Sequence, residues 1–133
     1  MLQIEIRTKN REEMIDITGA VQEALTRARV GNGAALLFCV HTTCGLTINE
    51  GADPAVRLDI EVFFGRIAPR EGGWRHAEGN SDAHIRASLL GPSLVIPVEN
   101  GRLCLGRWQA IYLYEGDGPR PRTLLLQWLA GMA

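Results

Sequence analysis

Asn100-Gly101, set between two alternating apolar runs, constrains this chain more than any other pair of residues. A two-residue Asn-Gly connection supplies positive φ at both central positions and so selects a tight hairpin. Before it, Leu94, Ile96 and Val98 alternate with Ser93, Val95 and Pro97; after it, Leu103 and Leu105 alternate on a return strand. Gly106 permits a bulge. Trp108 to Tyr114 then reads as a further strand, and Thr123 to Trp128 as the closing one. Antiparallel β-structure is the starting point.

The first half repeats the texture with helices inserted. Leu2, Ile4 and Ile6 alternate as a half-buried strand, and Met14 to Ile17 is expected to be its hairpin partner. Thr18 is the expected N-cap of a helix carrying Val21, Leu25 and Ala28 at helical spacing, stopped at Gly31. Ala34 to Val40 is an unbroken apolar run, expected to be a strand covered on both faces. Gly45 to Asn49 is a short strand. Asp53-Pro54 opens a second helix with an apolar stripe of Val56, Ile60, Phe63, Phe64 and Ile67, ended by Ala68-Pro69. Asp82 is expected to cap a third helix, Ala83 to Leu90, before Gly91-Pro92. The class is α+β: a mostly antiparallel β-sandwich with three helices, one domain over residues 1–133.

The formal net charge of −1 leaves no basic stripe, and the aromatics are scattered, so nucleic-acid binding is not expected. No apolar run reaches membrane-spanning length, and residues 1–5 lack the pattern of a signal peptide. Cys39, Cys44 and Cys104 have no Cys-x-x-Cys spacing. Reduced thiols and a cytoplasmic location are the expectation.

Two polar knots carry the chemistry. One is His41-Thr42-Thr43-Cys44 at the end of the apolar run; the other is His76-Ala77-Glu78-Gly79-Asn80-Ser81-Asp82-Ala83-His84. If they converge, His41, His76 and His84 form a three-histidine set suited to a divalent metal, Zn or Mg. The alternative is one packed histidine and two solvated ones. Glu78 lacks a capping role and is the better general-base candidate, ahead of Glu50. Asp53 and Asp82 have caps to make. Asn49 either orients a ligand or tolerates a left-handed turn. Thr42 and Thr43 offer hydroxyls to a phosphate without a Gly-rich loop. A Cys44–His41 dyad is disfavoured, because residues three apart in extended chain face opposite ways.

Three spaced blocks resemble one known family. Ser93-x-x-Ile96-x-Val98-x-x-Gly101-x-x-x-x-Gly106-Arg107-Trp108-Gln109-x-Ile111 is similar to the signature of the YjbQ-like family. His41 to Glu50 with Ala52-Asp53-Pro54, and His84 to Gly91, resemble its other blocks. The chain departs at Arg107, where the family usually has Thr, and mildly at Cys44, where it carries Ser or Ala. The resemblance implies an antiparallel α+β sandwich assembling as a homotrimer, with secondary thiamine-phosphate synthase activity. That reaction joins a pyrimidine diphosphate to a thiazole phosphate and expels diphosphate.

The expected site therefore lies at a trimer interface and takes a small phosphorylated ligand. His41, Asn49, Glu78 and His84 are the candidate catalytic residues. Thr42, Thr43, Asp53, Asp82, Arg86, Trp108 and Gln109 are candidate ligand contacts, with Arg102 and Arg107 as further cations. A metabolite- or metal-binding trimer without chemistry is the alternative.

Overall fold

The computed structural model describes residues 1–131; positions 132 and 133 of the expected domain lie outside the described residues. In chain order the elements are β1 (Leu2–Arg7), β2 (Glu13–Asp16), α1 (Thr18–Ala28), β3 (Gly33–Cys39), β4 (Cys44–Glu50), α2 (Pro54–Ile67), α3 (Ser81–Leu90), β5 (Ser93–Glu99), β6 (Arg102–Leu103), β7 (Gln109–Glu115) and β8 (Pro121–Ala130). One five-stranded sheet runs β1-β8-β3-β5-β6 and one three-stranded sheet runs β2-β7-β4. Every pairing is antiparallel.

The Asn100-Gly101 hairpin forms as expected, with φ of 50° and 76°. The expected β1–β2 hairpin does not form. β1 pairs with β8 and β2 with β7, so the two strands enter different sheets. Residues 8–12 connect them: Thr8 donates to buried Glu115, and the Lys9 and Asn10 N–H groups bond Glu13.

The main core lies between the sheets. Ala35, Leu37, Ile96, Leu124 and Leu126 of the large sheet meet Leu46, Ile111 and Leu113 of the small one, with Val21 and Leu25 of α1 packed in. The other face of the small sheet holds Met14, Tyr112 and Tyr114 against Phe64 of α2. β7, not β3, is therefore the strand covered on both faces. β3 is buried on alternate residues only, and Phe38 is 40 % exposed. Among the described residues no layer covers the outer face of the large sheet, and Ala34, Leu36, Phe38, Val95, Leu125 and Leu129 lie across it.

Helix caps differ from expectation in two of three cases. Asp53 caps α2 through the Ala55 N–H, with Pro54 at the first turn. Thr18 is inside α1, and its hydroxyl instead accepts the Ile111 N–H, tying the helix start to β7. α3 begins at Ser81, so Asp82 is a first-turn residue, not a cap. Of the expected α2 stripe only Phe64 is buried, while Phe63 and Ile67 are exposed. Among the described residues no helix is long and apolar enough to cross a membrane.

Candidate functional site

The chain crosses from the large sheet to the small one between Cys39 and Cys44, and this crossing carries His41, Thr42 and Thr43. Two glycines bring α3 against it. A Cβ at Gly116 would lie 2.8 Å from the Ala83 Cβ, and one at Gly45 2.8 Å from the Leu90 Cβ. The Gly116 N–H also bonds the Thr43 carbonyl at 3.0 Å. With α3 held this close, His84 reaches the crossing and the two polar knots meet.

The result is an open cavity of about 340 Å³ lined by Val40, His41, Thr42, Thr43, Glu78, Asn80, His84, Asp117, Arg120 and Arg122. A second cavity, also about 340 Å³, shares His41, Thr42 and His84 and adds Cys44, Ala87, Ser88 and Pro92. His76 lies beside His84, ring centroids 5.5 Å apart and edge to face, and its Nε2 is 3.7 Å from the Glu78 carboxylate.

The floor is a buried ion pair. Glu115 is fully buried and bonds both Nε and Nη2 of Arg122, the Thr8 hydroxyl and the Asp117 N–H. Arg122 Nη2 also donates to the Thr43 hydroxyl at 2.8 Å. Burial alone would raise the Glu115 pKa, but Arg122, the Asp117 N–H and Thr8 hold it below the usual carboxylate range. Among the described residues Arg122 Nη1 has no hydrogen-bond partner, and Arg122 lines the cavity. At the rim, Arg120 donates Nε and Nη2 to Asp117, which also accepts from the Asn80 amide. Burial opposes ionisation of Asp117, and Asn80 and Arg120 overcome it, so its pKa is lowered.

His41 Nε2 accepts the Thr123 N–H at 2.9 Å. Burial, then the Arg122 charge, lower its pKa, so the ring is neutral at neutral pH with its proton on Nδ1. That form presents a donor. It cannot ligate a metal through either nitrogen without losing the Thr123 bond or the Nδ1 proton. The set His41, His76 and His84 does not fit a metal as arranged, and among the described residues no three His, Cys, Asp or Glu side chains are grouped to hold one.

Other expected contacts also lie elsewhere. Asp82 is buried and held bidentately by Arg11 at 3.1 Å, an ion pair that lowers its pKa against the cost of burial. Arg86 is spent on the Tyr114 hydroxyl, the Ala68 carbonyl and Glu12. Both are engaged in ion pairs within the fold. Asn49 is exposed near the far end of β4, about 16 Å along the strand from Cys44, and its side chain accepts the Glu50 N–H. Glu50 accepts the Ala52 N–H. Trp108 and Gln109 line a separate cavity with Asp16, Thr18 and Arg107, whose guanidinium stacks on the exposed Trp108 ring at 4.7 Å. Arg102 lines another, beside α1.

Asn80 belongs to the second polar knot, whereas Asp117, Arg120 and Arg122 lie outside both knots. One signal was available for Arg122: it shares the inward face of β8 with Leu124 and Leu126, a position that buries a charge only if it is paired.

Comparison with known proteins gives one family. Its profile, described as UPF0047 protein YjbQ-like, matches residues 2–131. The chain is 49 % identical over 125 residues to the UPF0047 protein YugU of Bacillus subtilis, covering 93 % of this chain and 95 % of that protein. It is 44 % identical over 127 residues to a UPF0047 protein of Methanocaldococcus jannaschii, covering 96 % and 92 %. The crystal structure of a YjbQ/UPF0047 family protein from Clostridium acetobutylicum superposes with a TM-score of 0.93 at 46 % identity, covering 97 % of this chain and 100 % of that one. The fold, the full-length match and the identities agree: the chain belongs to the YjbQ-like UPF0047 family.

Proposed function

We propose that the cavity at the sheet crossing binds a small phosphorylated metabolite and supports secondary thiamine-phosphate synthase activity, on a homotrimer. The observation carrying this reading is the convergence of His41, Thr42, His84 and Glu78 on a cavity whose floor and rim hold Arg122 and Arg120. The lining carries two guanidiniums and two carboxylates, so it is not a positive funnel. Affinity for a phosphate rests on directed donors: the Arg120 and Arg122 guanidiniums, the Thr42 hydroxyl and the His41 Nδ1–H. In the transfer reaction these donors neutralise the departing diphosphate. His84, on the first turns of α3, is the group placed to exchange a proton. Glu78 and His76 sit on the exposed loop above. A weak and secondary activity is consistent with this partly self-neutralised lining.

The homotrimer is supported by the uncovered face of the large sheet. Phe38, Val40, Val95 and Leu129 are each 40–61 % exposed, and Val40 also lines the cavity. Sedimentation is expected to give a trimer, and Phe38→Glu with Val95→Glu is expected to dissociate it. A monomeric unsubstituted protein would contradict the assembly.

The activity is tested by supplying the pyrimidine diphosphate and thiazole phosphate and measuring thiamine phosphate. The unsubstituted chain is expected to exceed His84→Ala by about 100-fold, the lower range for loss of a positioned acid or base. Equal rates with diphosphate still bound favour the second reading, a binding module without chemistry. The 74 % exposure of the Glu78 side chain favours that reading, because a solvated carboxylate is a poor general base.

A further inference from the structure

We propose that Cys39 and Cys44 are a disulfide-forming pair, oxidised by peroxide, whose closure remodels the crossing that carries His41, Thr42 and Thr43. The two cysteines bracket that crossing: Cys39 ends β3 in one sheet and Cys44 begins β4 in the other. Both are buried, in the main core. Cys39 Sγ turns toward the start of β4, 3.8 Å from the His41 carbonyl and 3.9 Å from the Cys44 carbonyl. Cys44 Sγ lies 3.7 Å from the Glu115 carboxylate.

These surroundings divide the pair. The Cys44 thiol, acting against the cost of burial and with help from Arg122, brings Cys39 down to about 7. Cys44 itself is pushed up by Cys39, by burial and by Glu115. The Glu115 carboxylate beside Cys44 Sγ disfavours a thiolate there, so Cys39 attacks and Cys44 resolves. Cys44 also lines the cavity shared by His41, Thr42 and His84, a route for a small oxidant.

The chemistry balances. The Cys39 thiolate attacks one peroxide oxygen; the O–O bond breaks and the other oxygen leaves as hydroxide, which takes a proton. Cys44 sulfur then attacks the sulfenic sulfur, losing its proton while the hydroxyl leaves as water. Two thiols and one hydrogen peroxide yield one disulfide and two waters. A bond of about 2.05 Å requires the two sulfurs to close on each other, which lifts Cys44 off Glu115, the partner of Arg122. Simple core packing, the ordinary role of two buried cysteines, predicts no such reaction.

Trypsin separates the pair from the third cysteine. Cys39 and Cys44 fall together in residues 30–57, between Arg29 and Arg57, and the exposed Cys104 falls in 103–107. After peroxide treatment, peptide 30–57 is expected to have lost two hydrogens, with Cys104 still alkylatable. Diphosphate affinity is expected to fall several-fold and recover with dithiothreitol. Cys44→Ser, which retains a donor toward Glu115, is expected to keep its affinity under peroxide.

Sulfinic acid on Cys39 alone, or cross-linking through Cys104, would overturn the pairing. A disulfide that leaves diphosphate affinity unchanged would overturn its link to the cavity. The link rests on the phosphate reading of the cavity, whereas the disulfide does not. If diphosphate binds in neither redox state, that reading and the link both fail, and the mass spectrum still decides the disulfide.

Discussion

Glu115→Ala is expected to destabilise the protein by about 3–5 kcal/mol, measured by urea or guanidinium unfolding. The cost is not the intrinsic worth of the Glu115–Arg122 pair. Removing the carboxylate leaves the Arg122 guanidinium inside the protein with its charge uncompensated, and it also strands the Asp117 N–H. Replacing both partners with apolar residues, Glu115→Leu with Arg122→Met, is therefore expected to recover most of the loss. Additive losses would show that the two charges do not act as a pair.

The same pair sets the acid limit. The Glu115 pKa is held below its unfolded value of about 4.3, as is that of Asp82 relative to about 3.9. As pH falls, the unfolded chain takes up these protons before the folded one does. Stability from both groups is thus full near neutrality and is lost below about pH 4 as each folded carboxylate protonates. Glu115→Gln is expected to flatten the Glu115 part of that acid loss.

The fold was legible wherever one short rule decided the structure. Asn100-Gly101 fixed a hairpin, Asp53-Pro54 fixed a helix start, and alternation marked most strands. Pairing partners were less legible, because they are chosen by contacts distant in sequence. β1 has the alternation of a hairpin strand, yet it pairs with β8 at the other end of the chain. The unbroken run of β3 read as covered on both faces, whereas one chain covers only one, leaving Phe38 and Val95 to a neighbour in the proposed trimer.

The site was legible in part for the same reason. His41, Thr42, Thr43, Glu78 and His84 were selected, and they converge. The cations were less legible: Arg86 lies two residues after His84, but helical geometry turns it inward to Tyr114. Arg120 and Arg122 come from a turn and strand far along the chain, and only the crossing of the sheets puts them opposite His41. Trp108 and Gln109 belong to the family signature, yet β7 carries them to the end opposite Glu115.

The second large effect concerns binding. Arg120 lines the cavity while Asp117 holds its Nε and Nη2. Arg120→Ala removes a charge-assisted donor and frees the Asp117 carboxylate to repel an anion. A loss of about 1.5–3 kcal/mol for the donor alone corresponds to roughly a 10- to 150-fold weaker affinity. The fold is expected to survive, since the Arg120 side chain is 54 % exposed. Binding to the unsubstituted protein is also expected to weaken with added salt, because the cavity is open to solvent.

Calorimetric titration with inorganic diphosphate tests the assignment of the phosphate site to the sheet crossing most directly. One equivalent per chain is expected to bind the unsubstituted protein. Binding is expected to be lost or at least about tenfold weaker in Arg120→Ala, and unchanged in Trp108→Ala, whose cavity lies at the other end of β7. Binding that survives Arg120→Ala but disappears in Trp108→Ala would move the site to the other end of the molecule and contradict the account.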